Sequence, residues 1–322
     1  MRFIGTVILV AATAFNAPAI AQEPVTLKMG RANAAEENYW LMQARPDITP
    51  NQGKLYKLDI TAFRASDATF RAFEAGQIDG GSASANAVLT AASKGLDLRV
   101  VASLSLEAEG GSVTQYMVKS DAPIKSIADL KGKTVGIVGY RSSIELWARA
   151  ALTKGGLNPD KDVNWAVVPF PAMGAAVRSG KVDIAGMPQV FSEPEAAKGG
   201  LRTLFTSKTG VPFDEELILI IMRPEIMQKH PDAVRAFLAD LSTATKWYLK
   251  NTREAKQALI DKKIVGIAPE AYFKLPDYKR NPSARPNLKA LDQMQNMLVE
   301  YKFLEKKVDL SKVVDLSLSP AN

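Results

Sequence analysis

The stretch Gly139-Tyr140-Arg141-Ser142-Ser143 concentrates groups that hold an anion. A glycine permits the turn, two hydroxyls can cap a helix, and a guanidinium fork suits carboxylate, sulfonate or phosphate. Three other short stretches carry related chemistry at what read as strand ends. They are Gly30-Arg31-Ala32-Asn33, Ser82-Ala83-Ser84-Ala85-Asn86 and Gly186-Met187-Pro188-Gln189. Ligands in open α/β sheets sit beyond the carboxyl ends of strands, where the free N–H groups of helix starts favour negative charge. Tyr39, Trp40, Phe63 and Tyr140 lie close to the same ends and can wall a ligand with an aromatic or alkyl body. The expected ligand contacts are therefore Arg31, Asn33, Tyr39, Trp40, Phe63, Ser82, Ser84, Asn86, Tyr140, Arg141, Ser142, Ser143, Met187 and Gln189. Capping is the competing reading for the serines, solvent exposure for the arginines, and core packing for the aromatics, Met187, Phe170 and Phe191.

Catalysis has little to stand on. The chain has no Cys, and His230, its one His, precedes Pro231 at a helix start. Cys/His and Ser/His nucleophilic arrangements and most transition-metal sites are thereby removed. Gly110-Gly111 and Gly199-Gly200 are isolated pairs without the GxGxxG spacing of a cofactor-phosphate loop. Glu215-Glu216, adjacent along the chain, read as solvated. No catalytic residue, metal or cofactor is expected.

One block that occurs twice supplies the frame for these residues. Phe73-Glu74-Ala75-Gly76-Gln77-Ile78-Asp79-Gly80-Gly81 reappears in outline as Val177-Arg178-Ser179-Gly180-Lys181-Val182-Asp183-Ile184-Ala185. Each copy reads as a helix end, a glycine stop, a strand from Ile78 or Val182, then a second helix. Around them β-type runs alternate with helical ones to about residue 206, the pattern of βαβ units and parallel sheets. Leu217 to Met222 is an apolar strand running back towards the first unit. Beyond Pro224 the pattern is helical, opened at Pro231 by a long helix. The chain thus crosses twice, dividing into residues 22–110 plus 217–322 as one lobe and 111–216 as the other, with a hinge between them.

Met1-Arg2, the apolar run Phe3 to Ala14 and the small-x-small triplet Ala19-Ile20-Ala21 read as a signal peptide, residues 1–21, cleaved after Ala21. The run is too short to span a bilayer, so a periplasmic address follows, with no membrane-embedded segment. Lys+Arg 41 against Asp+Glu 34 gives a net +7. The basic residues are scattered among acids, not gathered in the stripe that nucleic-acid binding needs.

Ser126-Ile127-Ala128-Asp129-Leu130-Lys131-Gly132-Lys133-Thr134-Val135 resembles the D-L-K-G-K signature of solute-binding proteins that serve ABC importers. The paired Gly-x-Ile/Val-Asp blocks and His230-Pro231-Asp232 are similar to the nitrate, sulfonate and taurine branch, the thiamine-pyrimidine-synthase-like family. Glu36 to Pro50 departs from that pattern, lacking the glycine that ends the family's aromatic helix after strand one. The resemblance implies an α/β, two-lobed periplasmic binding protein fold (type II-like), with two parallel-rich sheets flanked by helices. It further implies a monomer that closes on a small organic anion, a sulfonate or carboxylate, and delivers it to an ABC permease and its ATPase. A periplasmic enzyme or sensor module on the same fold, acting on or sensing a small heterocycle, is the alternative.

Overall fold

The computed structural model describes residues 23–320 apart from Asn33, Arg64 and Ala65. The expected signal peptide, with its cleavage after Ala21, and the expected contact Asn33 lie outside the described residues.

The first unit runs β1 (Val25–Arg31), α1 (Glu37–Ala44), β2 (Tyr56–Ala62), α2 (Ser66–Glu74), β3 (Gly80–Ser84), α3 (Ala85–Ser93) and β4 (Arg99–Glu107). The second runs β5 (Gln115–Lys119), β6 (Thr134–Ile137), α4 (Ser143–Lys154), β7 (Asn164–Val167), α5 (Phe170–Arg178), β8 (Ile184–Met187), α6 (Gln189–Ala197), β9 (Leu201–Thr206) and α7 (Ser207–Gly210). The chain returns through β10 (Glu215–Met222) and ends in α8 (Pro224–Lys229), α9 (Pro231–Lys250), α10 (Thr252–Asp261), α11 (Pro269–Lys274), α12 (Leu288–Glu300) and α13 (Leu310–Val313).

Two five-stranded sheets result, in the orders β2-β1-β3-β10-β4 and β7-β6-β8-β5-β9. Their topologies match. In each, one strand opposes its neighbours: β10 is antiparallel to β3 and β4, and β5 to β8 and β9. Those two strands are the ones that follow a crossing between units. Along β10, Ile220 and Met222 enter one apolar cluster while Leu219 and Ile221 enter another, so the strand is covered on both faces. The second sheet divides likewise, with Val118 on one face and Met117 on the other.

The repeated block has a local cause. The Asp79 carboxylate accepts from the Lys28 N–H (2.8 Å), and the Asp79 N–H donates back to the Lys28 carbonyl (2.7 Å). Asp183 does the same with Thr134, at 2.8 and 2.9 Å. Each aspartate staples the start of its strand to the neighbour, and the strands begin just after it, at Gly80 and Ile184 instead of Ile78 and Val182. The glycine stops hold φ 71° at Gly76 and 75° at Gly180, a region that costs other residues strain. At Ser126 the resemblance motif forms a capping box with Asp129, closing the 3-10 turn Ile127–Leu130.

One expectation is overturned. Glu215 and Glu216 are buried, at 1% and 2% exposure, because the strand they open is covered on both faces. Trp147 Nε1 donates to Glu215 at 2.6 Å, while Ser103 Oγ and the Asn287 N–H donate to Glu216. Burial pushes both carboxyls up to about 7. Glu107, opposite Glu215 in the ladder, accepts from the Thr114 N–H and Ser207 Oγ. Lys208 adds a bond to the Glu107 carbonyl at 2.7 Å, so both crossings, 108–114 and 207–214, are tied to one polar cluster. No helix among the described residues is long and apolar enough to cross a membrane.

Candidate ligand-binding site

A cavity of about 400 Å³ opens between the two units. Its walls come from the loop into α1, the start of α6, Ser112 in the first crossing, and the irregular segments 264–267 and 275–278 around α11. Trp40, Phe191, Tyr272 and Tyr278 make it aromatic. Phe191 is held by stacking on Phe170, with ring centroids 5.1 Å apart. Lys256 Nζ donates to the Leu275 carbonyl at 3.1 Å and the Tyr272 carbonyl at 3.4 Å, fixing the wall around α11. The Tyr272 hydroxyl is buried and without a hydrogen-bond partner among the described residues. A lone buried donor on a cavity wall is a group that a ligand can satisfy.

Charge around the cavity is balanced. The Arg280 guanidinium, fully buried, binds Glu37 and lies 2.7 Å from Asp277. Burial outweighs the pull of Arg280 and raises the Glu37 carboxyl. With Lys256, two cations face two carboxylates, so the polar selection falls to backbone groups and to Tyr272. At the start of α6, Pro188 leaves the first turn without a side-chain cap or an acid. The Gln189 side-chain oxygen instead accepts from the Val113 N–H (3.0 Å), tying α6 to the first crossing.

The start of α1 is built differently. Ala35 adopts φ 65° and turns Glu36 inward, where it is 0% exposed. Its carboxylate accepts from the Ala32 N–H at 3.0 Å, from Trp40 Nε1 at 3.2 Å and from the Ser82 hydroxyl. Desolvation outweighs these bonds and pushes the carboxyl up to about 7.

Of the expected contacts, Trp40 and Gln189 line this cavity. Arg31 stands behind the wall, its guanidinium 5.6 Å from the Trp40 ring centre and its Nη1 on the Ala32 carbonyl. Ser82 is wholly buried and serves Ala32 and Glu36. Phe63 lies over Gly30, where any Cβ would meet its ring at 3.1 Å. Tyr39, one residue before Trp40, turns about 100° away into the core, edge-on to Phe237. Met187 is likewise core, fully buried within the second sheet's apolar cluster.

The glycine-serine turn before α4 forms a second locus. Ser142 caps α4, accepting from the Glu145 N–H at 3.3 Å. Ser143 Oγ donates to the Asn86 side-chain oxygen at 2.7 Å, joining α4 to α3 of the other unit. Ser84, the residue before α3, makes no side-chain cap, and its N–H donates to Ser66 Oγ. Arg141, with φ 61°, reaches the Phe303 carbonyl at 3.3 Å. Tyr140 is exposed.

Lys256, Tyr272, Asp277 and Arg280 escape a reading built on strand ends, because they follow the last sheet strand in the sequence. No group of three or more His, Cys, Asp or Glu placed to hold a metal occurs among the described residues.

Known proteins share this fold. The profile of the NMT1/THI5-like family matches residues 57–255. The chain belongs to the NMT1/THI5-like family. Among curated relatives of this member, a nitrate/nitrite binding protein NrtA from Nostoc is 32% identical over 155 residues, 46% of this chain. The match spans 34% of that relative's length. A putative aliphatic sulfonates-binding protein of Escherichia coli is 26% identical over 258 residues, covering 79% of this chain and 78% of its own. The crystal structure of the periplasmic aliphatic sulphonate binding protein SsuA from E. coli superimposes with a TM-score of 0.73 at 21% identity, over 90% of this chain and 91% of that one. The fold of this family member is therefore the two-lobed periplasmic binding protein fold.

Proposed function

We propose that this chain is the periplasmic solute-binding component of an ABC importer. It captures a small organic anion, a sulfonate or carboxylate with an aromatic or alkyl body, between two lobes divided near residues 110 and 216. The observation that carries this reading is the aromatic cavity of about 400 Å³, walled by both lobes and bordered by one of the two chain crossings. Such a cavity suits a drug-sized or smaller solute, and two crossings suit hinge closure. The relatives' printed names, nitrate/nitrite and aliphatic sulfonates binding, support the anion; delivery to an ABC permease and its ATPase belongs to the same proposal. The open start of α6 and the unpartnered Tyr272 hydroxyl supply the polar contacts, with Trp40 and Phe191 gripping the apolar body. Secretion through residues 1–21 and a monomeric, non-catalytic carrier belong to the same proposal.

The test is a thermal-shift screen of the purified mature chain against nitrate, alkyl and aryl sulfonates, and aliphatic and aromatic carboxylates. A ligand at 100 times its Kd adds about 2.7 kcal/mol of stability. A shift from one organic acid class supports the proposal. No shift with any member contradicts the anionic cargo.

A further inference from the structure

The start of α1 already holds a carboxyl group, and that group is part of the chain. The Glu36 carboxylate fills a cradle of three donors from separate elements: the Ala32 N–H after β1, Trp40 Nε1 on α1, and the Ser82 hydroxyl on β3. Residues on both sides of it, Ala34, Ala35, Glu37 and Trp40, line the cavity, so the cradle lies directly behind the cavity wall. A carboxylate, a nitrate and a sulfonate all present oxygens that such donors can serve.

We propose that Glu36 is a specificity-determining residue, an internal carboxylate that occupies the oxyanion cradle and bars a ligand's own anionic group from it. The inference rests on reading the cavity as the ligand site. Its consequence is that compact oxyanions find no cradle here. Selection passes to solutes large enough to span the aromatic walls and present their acidic end elsewhere. Two effects enforce the exclusion. The side chain takes up the space, and its charge repels a second anion in a site with little water to screen it. The left-handed backbone of Ala35, φ 65°, fixes the inward turn of Glu36.

The variants Glu36→Ala and Glu36→Gln separate space from charge. Titration calorimetry with nitrate and with methanesulfonate is run at pH 8, above the value of about 7 to which burial raises the Glu36 carboxyl, so that the wild-type side chain is ionised. The wild-type chain is expected to show no saturable heat with either anion. Glu36→Ala, with the cradle vacated, is expected to bind both saturably. Glu36→Gln removes the repulsion but still fills the cradle, so its affinity for either anion is expected at least about tenfold below that of Glu36→Ala. Should Glu36→Ala fail to melt cooperatively, Glu36→Ser, which also vacates the cradle, takes its place. Equal affinity of wild type and the folded cradle-vacating variant for both anions overturns the proposal, as does an absence of binding by that variant. The thermal-shift screen reads the wild-type chain alone. Its failure therefore counts against the transport reading, whereas a null difference between wild type and variants counts against Glu36.

Discussion

The starts of α1 and α6 face one cavity from opposite lobes, and they differ in what they already hold. At α1 the Glu36 carboxylate takes the N–H, indole and hydroxyl donors for itself. At α6 no acid stands in the first turn and no side chain caps it. The turn before α4 resembles α1 here: Glu145 accepts from the Arg141 N–H at 2.6 Å, and Arg141, like Ala35, adopts a positive φ. Two loops of matching place in the two sheets thus satisfy themselves with their own glutamates. Equivalent topology does not make equivalent anion sites. The one or two residues before each helix decide whether its donors remain available.

The comparison breaks most severely at Arg280. Replacing it with Met leaves Glu37 and Asp277 without their buried partner beside α1. Loss of one partner from a buried ion pair costs about 3–5 kcal/mol, read by denaturant unfolding. A cost below about 1 kcal/mol would mean that this network does not hold the wall.

A smaller effect appears in pH dependence. Glu36, Glu215 and Glu216 have carboxyls pushed from 4.5 up to about 7. Between those values the folded state binds protons that the unfolded state has released. Stability therefore falls as pH rises from 4.5 to 7 and levels off above. Each group contributes at most about 3 kcal/mol to that fall. Melting temperatures from pH 5 to 8 should decline, and Glu216→Gln should flatten the decline. A melting temperature that rises across this window contradicts the assignment.

Tyr272→Phe tests the α11 wall that faces α6 across the cavity. The hydroxyl has no partner among the described residues, so the free protein should keep its stability while ligand affinity drops by about 1 kcal/mol. A stability loss with unchanged affinity would remove Tyr272 from the site. The smallest effect is expected at Ser143→Ala, which cuts the bond to Asn86 between lobes. About 0.5 kcal/mol of unfolding free energy should go. A loss above about 2 kcal/mol would show that this contact, not the crossings, couples the lobes.

Legibility in the sequence followed the range of the interactions. The repeated block was readable because its glycine stop and stapling aspartate act within a few residues or on a neighbouring strand. The Ser126–Asp129 box was readable for the same reason. Trp40 and Tyr39 looked alike as an aromatic pair, and the turn of a helix sent one to the cavity and the other to the core. Nothing in the sequence marks Glu36 and Glu37 as buried. Their burial depends on Arg280, more than 240 residues away along the chain, and on the inward turn at Ala35. Glu215 and Glu216 were misread because the cover over β10 comes from residues as distant as Ser103, Trp147 and Asn287. The wall around 264–278 reads in the sequence only as part of the helical run beyond Pro224, with no strand end or repeat to mark it as cavity lining.

Backbone hydrogen exchange, measured with and without a saturating organic acid from the thermal-shift screen, tests the central claim most directly. Protection should rise at 189–191 and across 264–278, where the cavity is open to a ligand, while 37–44 of the self-filled α1 changes little. Protection confined to 139–143 or to α1, with none at α6, would contradict the account.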